Sequence, residues 1–352
     1  MWEMIGQDKI ISLLQRSLGG GSLAHAYLFV GPPHVGKMTM ALKLAQAVNC
    51  LADNPPCGEC ESCKKIVTSK HADTRIIGLN QELNSADSKR KIEISIEQIR
   101  EMQHSSSLPP FEGKRKVFII EEAERLSVEA ANCLLKTLEE PVGGVMFILL
   151  TGNDRLLPST VISRCQQLEL APVAAKDIES ALLSKRGIES SRAGLLAKLC
   201  HGCPGWALSA AVDSNLLNHR AEMMGRLFDI INADYEGRFA YAAQLVTQFS
   251  KNRQLVYEVL DLWLDWWRDL LLVKVNYRDA IVNIDFLPVL SEMAQSYRLA
   301  QIKAVISDIQ SAREQLGQNA NPQLVLEVLM LSIPKSKLSG LSLTGQSGGE
   351  NG

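Results

Sequence analysis

Ala26-Tyr27-Leu28-Phe29-Val30 runs straight into Gly31-Pro32-Pro33-His34-Val35-Gly36-Lys37, and then into an apolar-periodic stretch over 38–48. A short apolar run bounded by Gly and Pro reads as a buried strand, and the next segment reads as a helix. Strand, glycine-rich turn and helix start in succession are the context a phosphate-binding loop requires. Gly31 opens the turn, and Gly36 lets a backbone approach closely. N–H groups of the turn and the helix N-terminus point at phosphate, and Lys37 adds a point charge. The alternative is a Gly/Pro turn with no ligand.

Two further apolar runs, 117–120 and 145–150, have the same buried-strand character, with a helical stretch over 128–138 between them. Alternating strands and helices predict a parallel sheet covered on both faces. The first of these runs ends in Glu121-Glu122-Ala123-Glu124. An apolar strand ending in Asp then Glu is the second motif of ATPases, where the acids order the metal shell and activate water. Glu121 fills the Asp place with a longer side chain, which alters metal geometry; a charged helix start is the other reading. The residue after Lys37 is normally Ser or Thr, whose hydroxyl holds magnesium. Here it is Met38, and the hydroxyl of Thr39 comes one position later, about 100° around the helix. Poor magnesium binding follows.

Eight cysteines need an account. Met1-Trp2-Glu3-Met4 lacks the basic-then-apolar pattern of a secretion signal. No apolar run is long enough for a bilayer, since 263–275 is broken by Asp265, Arg268 and Asp269. A cytoplasmic setting is expected, and disulfides are rare there. Cys50, Cys57, Cys60 and Cys63 fall within 14 residues as C-x6-C-x2-C-x2-C. Two-residue spacing presents thiolates from tight turns, and four soft ligands suit a tetrahedral, closed, structural zinc site. His71 competes with Cys50 for the fourth position, Cys50 being the softer ligand. Cys200 and Cys203 have no second pair nearby and read as loop packing; Cys133 reads as a core residue.

The pattern divides the 352 residues into four zones: an α/β domain over 1–170, a small helical subdomain over 171–214, an all-helical domain over 215–334 and a flexible tail over 335–352. Helical periods in the third zone cover 220–231, 238–250, 254–275, 288–295, 299–316 and 323–331. Trp263, Trp266, Trp267 and Leu270 give one apolar face, read as helical core in preference to a base-stacking platform, since basic residues do not interleave with them. A formal charge of -2 excludes gripping nucleic acid by bulk charge.

Taken together, these segments resemble the AAA+ clamp-loader subunits of bacterial DNA polymerase III. The resemblance is carried by Ile5-Gly6-Gln7; by 23–29 before the phosphate loop; by the cysteine insertion; and by His71-Ala72-Asp73 with 94–100. It extends through Asn132-Cys133-Leu134-Leu135-Lys136-Thr137-Leu138-Glu139-Glu140-Pro141, Ser163-Arg164-Cys165 and 321–327. It implies an AAA+ P-loop domain with a zinc insertion, a helical lid and a helical collar within a hetero-pentameric ring. The partners it implies are the other loader subunits (gamma/tau and delta), the sliding clamp and primer–template DNA, with no membrane. It also implies that Arg164 acts in trans on ATP held by a neighbour, and that Thr151 occupies the place of the polar residue that contacts the γ-phosphate. The resemblance places Trp206 where motor subunits carry a phosphate-contacting Arg. With Met38 and Glu121, that makes three departures from a working ATPase. The expectation is a stator-type, arginine-donating subunit with little ATP turnover of its own. ATP or ADP binding through Gly31, Gly36, Lys37, Met38, Thr39, Glu121, Glu122 and Thr151 stays open, and an active gamma/tau-like subunit is the alternative.

Overall fold

The apolar runs at 26–30, 117–120 and 145–150 lie side by side in one five-stranded sheet. We describe the chain from a computed structural model covering residues 2–79, 93–318 and 320–335. The chain divides into two compact units. One comprises the residues up to Gly187 together with Gly202–Leu208; the other comprises Ile188–His201 and the residues from Ser209 onward. The division passes through the zone read from sequence as a small helical subdomain. The tail zone lies outside the described residues, apart from Lys335.

The first unit opens with α1 (Asp8–Gly19), β1 (Ala26–Val30), α2 (Lys37–Asn49), α3 (Glu61–Val67) and β2 (Thr74–Ile77). It continues with α4 (Ile96–Ser106), β3 (Lys116–Ile120), α5 (Val128–Glu139), β4 (Val145–Thr151), α6 (Ser159–Ile162), β5 (Gln166–Glu169) and α7 (Ala175–Arg186). All strand pairs are parallel, in the order β2-β3-β4-β1-β5. Helices cover both faces, so β3 and β4 are buried throughout, which is why they read as continuous apolar runs. Two apolar clusters form, one on each face of the sheet. Tyr27, Phe29, Ile119 and Ile148 meet α1 and α2 on one side; Leu28, Phe118, Phe147 and Leu149 meet α4 and α5 on the other. Phe118 and Phe147 stack at 5.7 Å. α4 and α5 start at Ser95, in a capping box with Gln98, and at Ser127, whose side chain accepts from the Ala130 N–H.

After β1 the chain crosses to the far edge at β2, steps back through β3 and β4, and places β5 on the other side of β1. Strand order therefore reverses at β1, and open parallel sheets bind ligands beyond the carboxyl end of the strand at such a switch. That end of β1 is the glycine-rich loop. β2 and β5 are short and part-polar, and β5 exposes three of its four residues at the edge; periodicity alone does not find such strands.

The second unit contains α8 (Ser190–Leu199). α9 (Pro204–Val212) begins in the first unit and ends in the second. Then follow α10 (Ser214–Asn232), α11 (Tyr235–Lys251), α12 (Arg253–Lys274), α13 (Leu287–Ser296), α14 (Leu299–Gly317) and α15 (Pro322–Ser332). These match the six expected helices, lengthened mostly at their starts. The additions are set by caps such as Asp234, Asn252 and Asn321, whose side chains accept first-turn N–H groups. Trp263, Trp266 and Trp267 are fully buried, with Trp266 edge-on to Phe228 at 4.9 Å and Trp263 stacked on Tyr241. They are core, and no base can reach them. Arg238 is also buried, and its guanidinium donates to the carbonyls of Ile230, Ile231, Met330 and Ile333 at the ends of α10 and α15. No helix among the described residues is long and apolar enough to cross a membrane.

Candidate functional site

The loop after β1 bends because Gly31, His34 and Gly36 take positive φ; Gly36 reaches +109°, a conformation a side chain resists. α2 begins at Lys37, so its first-turn N–H groups face the loop. The Lys37 ammonium folds back over the turn and donates to the carbonyls of Gly31 at 2.5 Å and Pro32 at 2.9 Å. Burial pushes its pKa below the usual lysine value, and nearby Glu124, Glu121 and Glu122 act in the opposite direction. A cation thus sits within a cradle of backbone donors, an arrangement suited to phosphate.

Two contacts on the loop were not announced by the sequence. Met4 Cε lies 3.0 Å from the point where a Cβ on Gly36 would sit. At the start of α9, the Gly205 N–H donates to the His34 carbonyl at 2.9 Å, and a Cβ on Gly205 would fall 2.8 Å from that oxygen. The Gly202-Cys203-Pro204-Gly205 turn was legible in the sequence, but its docking on the loop was not. Trp206 follows in the first turn of α9 and is half-buried. Met38 packs against the apolar cluster under α1 and α2, while Thr39 is exposed.

Glu121 follows the end of β3, its N–H held by the Ile77 carbonyl at 2.8 Å. Burial raises its pKa, Glu122 adds to the shift, and Lys37 opposes it. Glu122 takes φ +48° as the chain turns away. Glu124, which the sequence did not single out, accepts the Gly152 N–H at 3.2 Å. Thr151 is fully buried at the end of β4, opposite Val30, and its carbonyl accepts the Gly31 N–H. Its hydroxyl accepts the Asn153 N–H at 3.1 Å. The fold therefore gathers the loop, the acids after β3 and Thr151 at one end of the sheet.

The four cysteines converge between α2 and α3. Their sulfurs all lie within 4.8 Å of one another, so one ion could be held by all four. The Cys57 N–H points at Cys50 Sγ at 3.4 Å and the Cys60 N–H at Cys57 Sγ at 3.3 Å, as donors that favour thiolate. Hydrogen bonds from the backbone of Cys60 and Glu59 pull the Cys57 thiol down to about 6, whereas burial pushes Cys63 up to about 12. A bound cation would draw both to thiolate. His71 stands apart from this cluster: its Nδ1 accepts the Asp73 N–H at 3.2 Å. Asp73 in turn clamps the following loop, accepting N–H groups from Phe111, Glu112 and Gly113 at 2.7–3.0 Å. Cys133 is partly buried against the sheet, and Cys200 and Cys203 are buried.

Arg164 follows α6 on the surface, its side chain 34% exposed. Its guanidinium donates to the Thr160 carbonyl at 2.8 Å and pairs with Glu139 Oε1 at 2.5 Å. None of the loop residues after β1 is among its partners.

A family model described as DNA polymerase III, delta subunit, matches residues 6–174, and one described as DNA polymerase III, delta subunit, C terminal, matches 215–335. DNA polymerase III subunit delta′ of Bacillus subtilis is 28% identical over 328 residues, covering 93% of this chain and 96% of that protein. Subunit tau/gamma of Haemophilus influenzae is 37% identical over 182 residues, covering 51% of this chain and 25% of that protein. A solved gamma subunit-related protein of Thermotoga maritima overlays with a TM-score of 0.43 at 16% identity, over 91% of this chain and 98% of that one, a likeness too low to argue from.

Proposed function

The chain belongs to the DNA polymerase III delta-subunit family, and from that premise we propose that it is the delta-prime, stator-type subunit of the clamp loader, lending Arg164 to ATP bound by a neighbouring motor subunit. The extent of the likeness carries the reading: the delta′ relative matches across both units, whereas the tau/gamma relative matches only half of the chain. In the assembly, this subunit takes a place beside gamma/tau and delta subunits in a hetero-pentameric ring that loads the sliding clamp onto primer–template DNA in the cytoplasm. Residues 1–170, 171–214 and 215–334 would serve as the P-loop domain, lid and collar.

Within this reading Arg164 is the catalytic residue, acting in trans. A guanidinium aimed at a transferring phosphoryl group stabilises the charge that develops there. Its exposure, and partners that lie on α5 and α6 and not on the chain's own phosphate loop, support donation outward. The chain's own site keeps the cradle of Gly31, Gly36 and Lys37 and lacks a magnesium hydroxyl at Met38. Burial raises the pKa of Glu121, and Met4 and Gly205 pack against the loop. Nucleotide held there by the loop, with Thr39 and Glu122 beside it, would turn over slowly; Thr151 is fully buried, its hydroxyl engaged by the Asn153 N–H. Cys50, Cys57, Cys60 and Cys63 would hold zinc as a closed structural site that stabilises the segment between α2 and α3.

The test is Arg164→Ala in a reconstituted loader. Hydrolysis at the acceptor site should fall by about 10²–10³ while the chain still folds and assembles. Unchanged clamp-loading rates would remove Arg164 from the mechanism. Brisk magnesium-dependent hydrolysis by the isolated chain would instead favour a gamma/tau-like motor.

A further inference from the structure

Glu139 is the last residue of α5, and Glu140 follows it. Two carboxylates at a helix C-terminus face the negative end of the helix dipole, so helix stability does not explain them. Glu139 has a partner across the fold instead: its Oε1 lies 2.5 Å from Arg164 Nη2. The other terminal nitrogen, Nη1, donates to the Thr160 carbonyl at 2.8 Å and approaches Ser163 Oγ at 3.4 Å. Both ends of the guanidinium are therefore spent on the chain's own surface, folded back toward α6 and α5.

The pair is also open to water, with the Arg164 side chain 34% and the Glu139 side chain 48% exposed. Exposed ion pairs are weak, which makes this one easy to break. It is still sufficient to select one arrangement of a long, flexible side chain. A nucleotide phosphate carries more charge than one carboxylate and offers a better-matched bidentate acceptor. It can displace Glu139.

We infer that Glu139 is a latch: it stows Arg164 against its own subunit until a neighbour's nucleotide phosphate takes the guanidinium in exchange. This rests on the reading of Arg164 as a donor in trans and adds to it a positioning residue that restrains the donor. No bond is made or broken in the exchange; one ion pair replaces another.

The experiment uses the assembled loader carrying E139Q, E139D, R164A or E139Q with R164A, with kcat/KM for ATP measured across a salt series. Glutamine keeps the shape and removes the charge. E139Q should raise kcat/KM about two- to fivefold at low salt, the gain shrinking as salt rises. E139D, which keeps the charge, should return the rate toward that of the unmodified loader. The double variant should match R164A alone. A fall in kcat/KM with E139Q would mean that Glu139 orients the arginine, and would overturn the latch; so would a gain that persists without Arg164. If R164A lowers the rate but E139Q does not raise it, only the latch fails. If R164A changes nothing, the donor reading fails and the latch with it.

Discussion

At the scale of single residues, charge and hydrogen-bond geometry decide what a motif residue can do. Lys37 was legible because its spacing from Gly31 and Gly36 is local. The structure adds that loop carbonyls hold its ammonium. Arg164 was legible only through resemblance; its partner Glu139 lies 25 positions earlier and no pattern joins the two. Asp73 shows the same limit. Burial raises the pKa of its carboxyl, but N–H donation from Phe111, Gly113 and Glu112 overcomes this and holds it below the usual carboxylate value. A depressed folded-state pKa means stability that is present above the unfolded value and lost as pH falls through the folded one. Asp73→Asn should therefore cost about 1–3 kcal/mol at pH 7, and the gap to the unmodified chain should narrow progressively as pH falls below about 4, toward and through the depressed folded-state value. Urea unfolding across a pH series measures this; a gap that does not narrow at all as pH falls from 7 into the acid range would refute it.

At the scale of elements, helix ends are where the sequence reading stopped short and where tertiary contacts act. The expected helix starts at 238 and 323 moved to Tyr235 and Pro322 because Asp234 and Asn321 supply caps just outside the apolar period. Helix C-termini leave carbonyls that need donors. For α10 and α15 the donor is Arg238, one guanidinium serving four carbonyls, some from residues more than 90 positions away. Arg238→Met keeps much of the volume and strands those acceptors. A loss on the order of 3 kcal/mol is expected in chemical denaturation, with helix content falling cooperatively; a loss under 1 kcal/mol would show that water replaces the guanidinium. The start of α9 is tied differently, by the Gly205 N–H on the His34 carbonyl. Periodicity predicts a helix there and says nothing of the loop it caps.

At the scale of the whole molecule, the chain holds two units with separate apolar cores, the first around the sheet and the second around the three tryptophans. The cysteine cluster belongs wholly to the first unit, and metal binding contributes to the stability of the unit that holds it. On the proposal that this cluster holds zinc, a chelator should lower the calorimetric transition of the first unit and leave that of the second in place. Equal shifts in both, or none, would contradict a structural metal confined to the first unit. The sequence by itself determined the strands that are apolar throughout, the phosphate loop between β1 and α2, the four-cysteine spacing and the helical second half. Each of these depends on neighbours within a few positions, where chain geometry alone fixes who meets whom. Only the tertiary structure decided that Met4 and Gly205 close on the loop, that the polar edge strand β5 completes the sheet, that burial raises the pKa of Glu121, and that Glu139 faces Arg164. Those contacts join segments whose separation along the chain carries no signal, and they exist because the crossovers of a parallel sheet return distant loops to the same end.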